Sequence, residues 1–249
     1  MKSYICALAL CFFILKSQAQ ISLSDLHVVS QAFQAEYTAE LQMQNSIFFI
    51  NKPPSPFTPD FWWDLDTVRA AYSSNIDEKL RTHYIVVMGG FGKLPGMNRD
   101  GIAATICHEL GHGIAGAPFK NRAEEAQVAV EGQADYFAYR YCLARIFKRL
   151  PIMVPVKPVS AFTDSLCKKN YSKPEDLSFC TRAFQTLEVE RMYLKYLSKG
   201  LVNTVYDKPD QSVVSETSVE DTFYPADQCR LDTMMAGVLQ KPRPACWFK

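Results

Sequence analysis

Residues 108–112 read HELGH, and this stretch decides how the rest of the chain must fold. The two histidines stand four residues apart, which on a helix places both rings on one face, one turn apart. Two neutral imidazoles so placed can hold one zinc ion from one side. Glu109 stands between them, where its carboxylate can take a proton from a water whose pKa the metal lowers to about 7. The spacing therefore predicts a zinc centre and a general base on one helix.

The third ligand must come from elsewhere, because a catalytic zinc needs three protein ligands and an open position for water. The chain has four histidines, and none follows His112. The extended pattern HExxHxxGxxH is excluded, since Ala115 and Pro118 occupy its glycine and third-histidine positions. We expect a carboxylate, or less favourably a cysteine. The downstream acidic candidates are Glu124, Glu125, Glu131 and Asp135.

Glu131 and Asp135 are the most informative of these candidates. They stand four residues apart and would share a helix face. Their neighbours Ala134, Tyr136 and Phe137 are largely apolar, which indicates burial, and a buried acid pair needs a cation. One acid can bind zinc while the other accepts a hydrogen bond from a ligand histidine and orients its ring. The alternative interpretation is a solvated acidic helix face.

HExxH followed by Glu-x-x-x-Asp, here with residues 113–130 between them, resembles the pattern of the gluzincins. These are zinc metallopeptidases with His, His and Glu ligands. The resemblance covers residues 99–142, whereas residues 160–249 match no motif.

The resemblance implies a role for each motif residue. His108, His112 and Glu131 would bind Zn²⁺, and Glu109 would be the general base. Asp135 would orient one of the two ligand histidines, of which His108 is the favoured one. It also implies a zincin-like α+β fold, with a small mixed sheet, an active-site helix and a mostly helical C-terminal half. The implied activity is hydrolysis of peptide bonds in a peptide or protein substrate.

Gluzincins also use a histidine or tyrosine beyond the glutamate to stabilise the oxyanion, a contribution worth about a hundredfold or more in rate. No downstream histidine exists here, and the sequence does not single out a substitute. Besides the arginines, the candidates are Tyr136, Tyr139, Tyr141, Tyr171, Tyr193, Tyr196, Tyr206 and Tyr224. We expect His83, which lies upstream, to be structural.

Residues 1–19 have the features of a signal peptide. Lys2 supplies a positive start, and residues 4–15 form an apolar run too short to span a bilayer. Residues 17–19 place small side chains at −3 and −1, so we expect cleavage before Gln20. This predicts a secreted or periplasmic protein with one metallopeptidase domain over residues 20–249, and no membrane attachment after cleavage.

The charge balance and the composition bear on which classes of partner the protein could bind. The chain has 27 Lys and Arg residues against 26 Asp and Glu, and 48% hydrophobic residues. This near-neutral balance gives no indication of nucleic acid or an anionic surface as partner. The hydrophobic content fits a globular enzyme with a core. The oligomeric state is not indicated.

Six cysteines follow the predicted cleavage site, an even number that predicts disulfides in an exported chain, although buried free thiols are the alternative. We favour Cys229 with Cys246, which closes a short terminal loop. If Asp135 reaches His108, Cys107 and Cys142 could meet and join the two motif helices. The remaining pair is Cys167 and Cys180.

Hydrophobic periodicity predicts the other elements. Residues 84–88 form a predicted strand just before the motif helix. The resemblance to gluzincins implies an edge strand there that lies beside the helix and pairs with extended substrate backbone, and the alternative is a plain central strand. The predicted N-cap of the motif helix is Asp100. The other predicted elements are a helix over 26–41, a strand at 47–50, a helix from Thr58-Pro59 that includes Tyr72, a helix from a capping box at Asn121 and Glu124 to about Lys148, an irregular stretch at 201–226, and helices at 174–199 and 229–239.

Three functional classes fit these features: a zinc metallopeptidase, a non-catalytic zinc-binding protein, and a disulfide-stapled interaction module without metal. Glu109 favours the first. A purely structural zinc site has no need of a base and closes its fourth position with another ligand.

Overall fold

A computed structural model describes residues 21–121 and 127–248 as an α+β fold with a small mixed sheet. The expected signal peptide at residues 1–19 lies outside the described residues. The strands are β1 (Ser46–Ile50), β2 (Ala70–Asp77) and β3 (Leu80–Val87). The helices are α1 (Leu23–Met43), α2 (Phe61–Asp64), α3 (Arg99–Ile114), α4 (Glu131–Phe137), α5 (Leu143–Ile146), α6 (Ala161–Asn170), α7 (Pro174–Leu197) and α8 (Asp227–Val238).

The sheet has the order β1-β3-β2, so β3 is its central strand. It pairs in parallel with β1 and antiparallel with β2. Of the two interpretations of strand 84–88, the central one is therefore correct, and β1 and β2 are the edge strands. The prediction of a helix from Thr58 that includes Tyr72 was wrong, because α2 ends at Asp64 and Tyr72 lies in β2 opposite Ile85. Pairing with β3 outweighs the helical spacing of the apolar residues there.

Helix α3 carries the HELGH motif through the core and is buried along most of its length. Its N-cap is Asn98, whose side chain accepts hydrogen bonds from the backbone N–H groups of Asp100 and Gly101. The prediction of Asp100 as N-cap was thus wrong. Asp100 instead accepts two hydrogen bonds from Arg182 on α7, at 2.7 and 2.6 Å, which tie the start of α3 to the C-terminal half.

The second motif helix begins at Glu131, later than predicted. In place of the predicted start of this helix, two short backbone segments pair with each other. Phe119 and Ala129 form an antiparallel bridge, and the carbonyl of Val128 accepts a hydrogen bond from the N–H of Lys120 at 2.6 Å. Glu124 of the predicted capping box lies outside the described residues. The helix continues through a π-helical turn at Ala138–Cys142 into α5, close to its predicted end.

The C-terminal half is mostly helical, as predicted. Helices α7 and α8 match the expected segments, and most of residues 201–226 between them is irregular. All three predicted disulfides are present: Cys107–Cys142, Cys167–Cys180 and Cys229–Cys246. None of the helices within 21–121 and 127–248 combines the length and apolar character that a membrane span requires.

The Arg182–Asp100 pair, with a buried guanidinium and a partly buried carboxylate, generates a stability prediction. Arg182→Met should lower the free energy of unfolding by about 3 kcal/mol, the lower end of the range for buried pairs, because it leaves a partly buried carboxylate without its counter-charge. Urea denaturation at neutral pH measures this. The double variant Asp100→Asn with Arg182→Met should recover a substantial part of the loss. A single-variant loss below about 1 kcal/mol would show that the pair does not anchor α3.

Candidate metal centre

Helices α3 and α4 approach closely because small residues lie between them. A Cβ atom at Gly111 would meet the Cα of Ala134 at 3.0 Å and the ring of Phe137 at 3.1 Å. The glycine of HELGH therefore has a packing function. This contact places the first turn of α4 opposite the histidine face of α3.

The three predicted ligands come together at this contact. Nε2 of His108 lies 3.3 Å from Oε2 of Glu131, and Nε2 of His112 lies 3.5 Å from Oε1 of the same residue. One ligand atom from each residue can be chosen so that all three lie within 4.8 Å of one another. Two ligand atoms about 2.0–2.1 Å from a zinc ion at the tetrahedral angle are about 3.3 Å apart. His108, His112 and Glu131, called the ligand group below, therefore fit a metal ion.

The other ring nitrogens face fixed partners. Nδ1 of His112 lies 2.8 Å from the carbonyl oxygen of Ala129, to which it can donate a hydrogen bond. Nδ1 of His108 lies 2.8 Å from Oδ1 of Asp135, which places this carboxylate beside the ring nitrogen that does not face Glu131. Both rings thus present Nε2 to Glu131, and Asp135 lies beside His108 as predicted.

Two basic residues that the sequence did not predict complete the cluster. Arg230 on α8 donates two hydrogen bonds to Asp135, each at 2.8 Å. Lys120 donates one to Oε1 of Glu131 at 2.7 Å. The sequence indicated that a buried Asp135 needs a cation nearby, but it could not identify Arg230, which lies 95 residues away in the chain. No sequence pattern around Lys120 indicated its contact with Glu131.

The carboxylates of Asp135 and Glu131 favour a positive charge at His108. Burial acts to lower the pKa of His108, but Asp135 and Glu131 outweigh it and raise the pKa to about 10. Burial and the charge of His108 lower the pKa of His112 to about 3. Burial also opposes ionisation of Glu131, yet the hydrogen bond from His108 and the neighbouring positive charges hold its pKa well below the usual range. The acids thus favour a cation here, whether a proton or a metal ion.

Glu109 lies in the wall of a cavity of about 660 Å³ that also contains the ligand group. Its side chain is buried, and burial raises its pKa to about 7. Glu109 is not a member of the three-residue ligand group. The carboxylate of Glu109 therefore lines the same cavity as the three candidate ligands but is not one of them, which is the position expected of a proton acceptor.

Of the predicted oxyanion candidates, Tyr139, Tyr193 and Tyr224 line the cavity, whereas the other five tyrosines do not. Arg230 lines it too but is held by Asp135. The upstream His83 is buried and lies outside the cavity wall, with Nδ1 2.7 Å from the hydroxyl of Tyr72. This position agrees with the structural role expected for it.

The Cys107–Cys142 disulfide joins the helix of His108 to the helical segment that follows Asp135. Cys107 immediately precedes His108, and both cysteines are fully buried. The crosslink therefore constrains the relative position of the two elements that supply the ligands.

No protein-family model, curated protein or solved structure matches the chain. The ligand set therefore stands on the geometry of this chain.

The ligand geometry predicts one bound zinc ion per chain. His108→Ala, His112→Ala and Glu131→Ala should each lower the zinc content after dialysis from about one equivalent to below about a tenth, because two remaining ligands hold zinc weakly. Inductively coupled plasma mass spectrometry measures the content. His27→Ala, at an exposed position on α1, is the control and should retain full zinc. Equal zinc in all variants would place the metal elsewhere.

The disulfide generates a prediction that separates stability from metal binding. Replacing Cys107 and Cys142 by alanine should cost about 4 kcal/mol in the chain-entropy model and should also weaken zinc binding, because the ligand helices are no longer joined. Replacing Cys167 and Cys180, which lie far from the ligands in sequence, should cost about 3 kcal/mol and leave zinc affinity unchanged. Urea denaturation and competition with a zinc chelator measure the two effects. Unchanged zinc affinity in the first variant would refute the positional role.

Proposed function

We propose that the chain is an exported zinc-dependent peptidase of the gluzincin type with a zincin-like fold. The observation that carries the proposal is the convergence of His108, His112 and Glu131 beside the carboxylate of Glu109 in one cavity. A structural zinc would have no need of a base and would usually have a fourth protein ligand. The ligand group has three members within the described part of the chain, which suits catalysis better.

The protein's own groups fit the steps of peptide hydrolysis. When bound, zinc would acidify a water molecule and polarise the substrate carbonyl. Glu109 would take the proton onto its carboxylate and later donate it to the leaving amine. Asp135, held by Arg230, would keep the ring of His108 in position.

The cavity wall offers a surface for an extended substrate. Residues 67–72, which lead into and begin the edge strand β2, line the cavity together with the ligand group. An edge strand can pair with an extended peptide through its backbone. The substrate-pairing role that the sequence suggested for strand 84–88 therefore passes to β2 in this proposal.

Export follows from the predicted signal peptide and agrees with the disulfides. Three disulfides within a single chain are typical of oxidising compartments outside the cytosol. We propose a secreted or periplasmic location on this basis.

The test of the proposed function is Glu109→Gln. This variant removes the proton acceptor and leaves all three ligands, so it should keep about one zinc equivalent and lower kcat for a mixed peptide library by about a hundredfold or more. Mass spectrometry of the digest measures the rate. Glu188→Gln, a charge removal on α7 outside the cavity wall, is the control and should remain active.

A zinc-loaded parent that cleaves no peptide would refute the peptidase proposal and favour a binding role. Equal rates in the parent and in the Glu109 variant would refute the role of this carboxylate.

A further inference from the structure

Glu190 is one of three carboxylates, with Asp221 and Asp227, that line the cavity and that neither the metal centre nor the chemistry above requires. Glu190 lies on α7 and lines the cavity together with Glu109 and the ligand group. No hydrogen bond to its carboxylate is formed within residues 21–121 and 127–248, and its interactions with Arg230, His108 and Asp135 act at longer range. Of the basic groups that line the cavity, Arg230 is engaged by Asp135 and Lys120 by Glu131.

An acid in this position is unfavourable without a partner. Burial raises the pKa of Glu190 to about 7 although Arg230 and His108 act to lower it, so the protein compensates its charged form only in part. A buried charge is stable when a group of opposite charge lies beside it. Because Glu190 faces the cavity, such a group can come from a molecule that enters it.

The neighbours of Glu190 extend this site along one face of α7. Glu190, Tyr193 and Leu197 are spaced as i, i+3 and i+7, and all three line the cavity. Leu197 is half exposed, which places it toward the opening. The ring of Tyr193 lies 5.0 Å from that of Phe91 and packs against it. A long side chain could rest its aliphatic stem on this face and bring its charged end to Glu190.

We propose that Glu190 determines substrate specificity by binding a cationic group of the substrate, a protonated amine or a guanidinium. The inference rests on the proposed peptidase function and extends it to the substrate class. The group can come from a lysine or arginine side chain or from the free α-amine of a peptide. Both present N–H donors with positive charge to a carboxylate.

The experiment measures binding in the absence of turnover. Zinc-loaded protein with Glu109→Gln is compared with the same protein carrying Glu190→Gln as well. The peptides are acetylated, amidated and otherwise neutral, with a single lysine placed at each position in turn. Matched peptides carry norleucine instead of lysine, and one norleucine peptide keeps its free α-amine. Fluorescence anisotropy gives Kd, and zinc content is checked for every variant.

Glu190→Gln should raise Kd about tenfold or more for a cationic peptide, the size expected for loss of one charge-assisted hydrogen bond, and change it less than about twofold for the neutral norleucine peptide. If the affected peptide is a lysine peptide, the group recognised is a side chain. If it is the unacetylated norleucine peptide, the group is the α-amine. Glu188→Gln is the control on the same helix, because that carboxylate is held by Arg191 and Tyr206, and it should change neither Kd.

Three results would overturn the proposal: an unchanged Kd for all cationic peptides, an equal rise for the neutral peptide, or no binding of any peptide. Hydrolysis is not measured in this experiment. A parent protein that cleaves no peptide would therefore refute the peptidase function, while a charge-dependent loss of binding in the Glu190 variant would still support the cation site.

Discussion

The ligand group depends on one contact between two helices. Glu131 must reach His108 and His112 across the gap between α3 and α4, and its carboxylate does so at 3.3 and 3.5 Å. Gly111 permits that distance, since a larger residue would meet Ala134. The backbone pairing of residues 118–120 with 128–130 returns the chain so that α4 begins at Glu131.

Charge compensation is the second constraint on this region. Glu109, Glu131, Asp135 and Glu190 line one cavity, in which Lys120 is engaged by Glu131 and Arg230 by Asp135. A divalent cation bound by the ligand group would compensate more of the negative charge of these carboxylates. Glu190 would remain beside space that a substrate can occupy, so the arrangement favours both a metal ion and a cationic group of the substrate.

The local part of the site could be predicted from sequence, because helix periodicity alone relates His108 to His112 and Glu131 to Asp135. The even cysteine count predicted disulfides, and each pairing had its own basis: the short terminal loop for Cys229–Cys246, the expected contact of Asp135 with His108 for Cys107–Cys142, and elimination for the third pair. Arg230, Lys120 and Glu190 could not be predicted, because they approach the ligands only through tertiary packing. The strand at Tyr72 was missed because pairing with β3 overrides local spacing, and the late start of α4 was missed because backbone pairing competes with helix formation.

The account can be tested most directly by locating the metal. Crystals grown with zinc should be measured with X-rays on both sides of the zinc absorption edge, and the anomalous difference map calculated. The expected result is one strong peak about 2.0–2.1 Å from Nε2 of His108, Nε2 of His112 and a carboxylate oxygen of Glu131. A peak elsewhere, or zinc-bound protein in which Glu131 stays with Lys120 and does not reach the ion, would contradict the proposed centre.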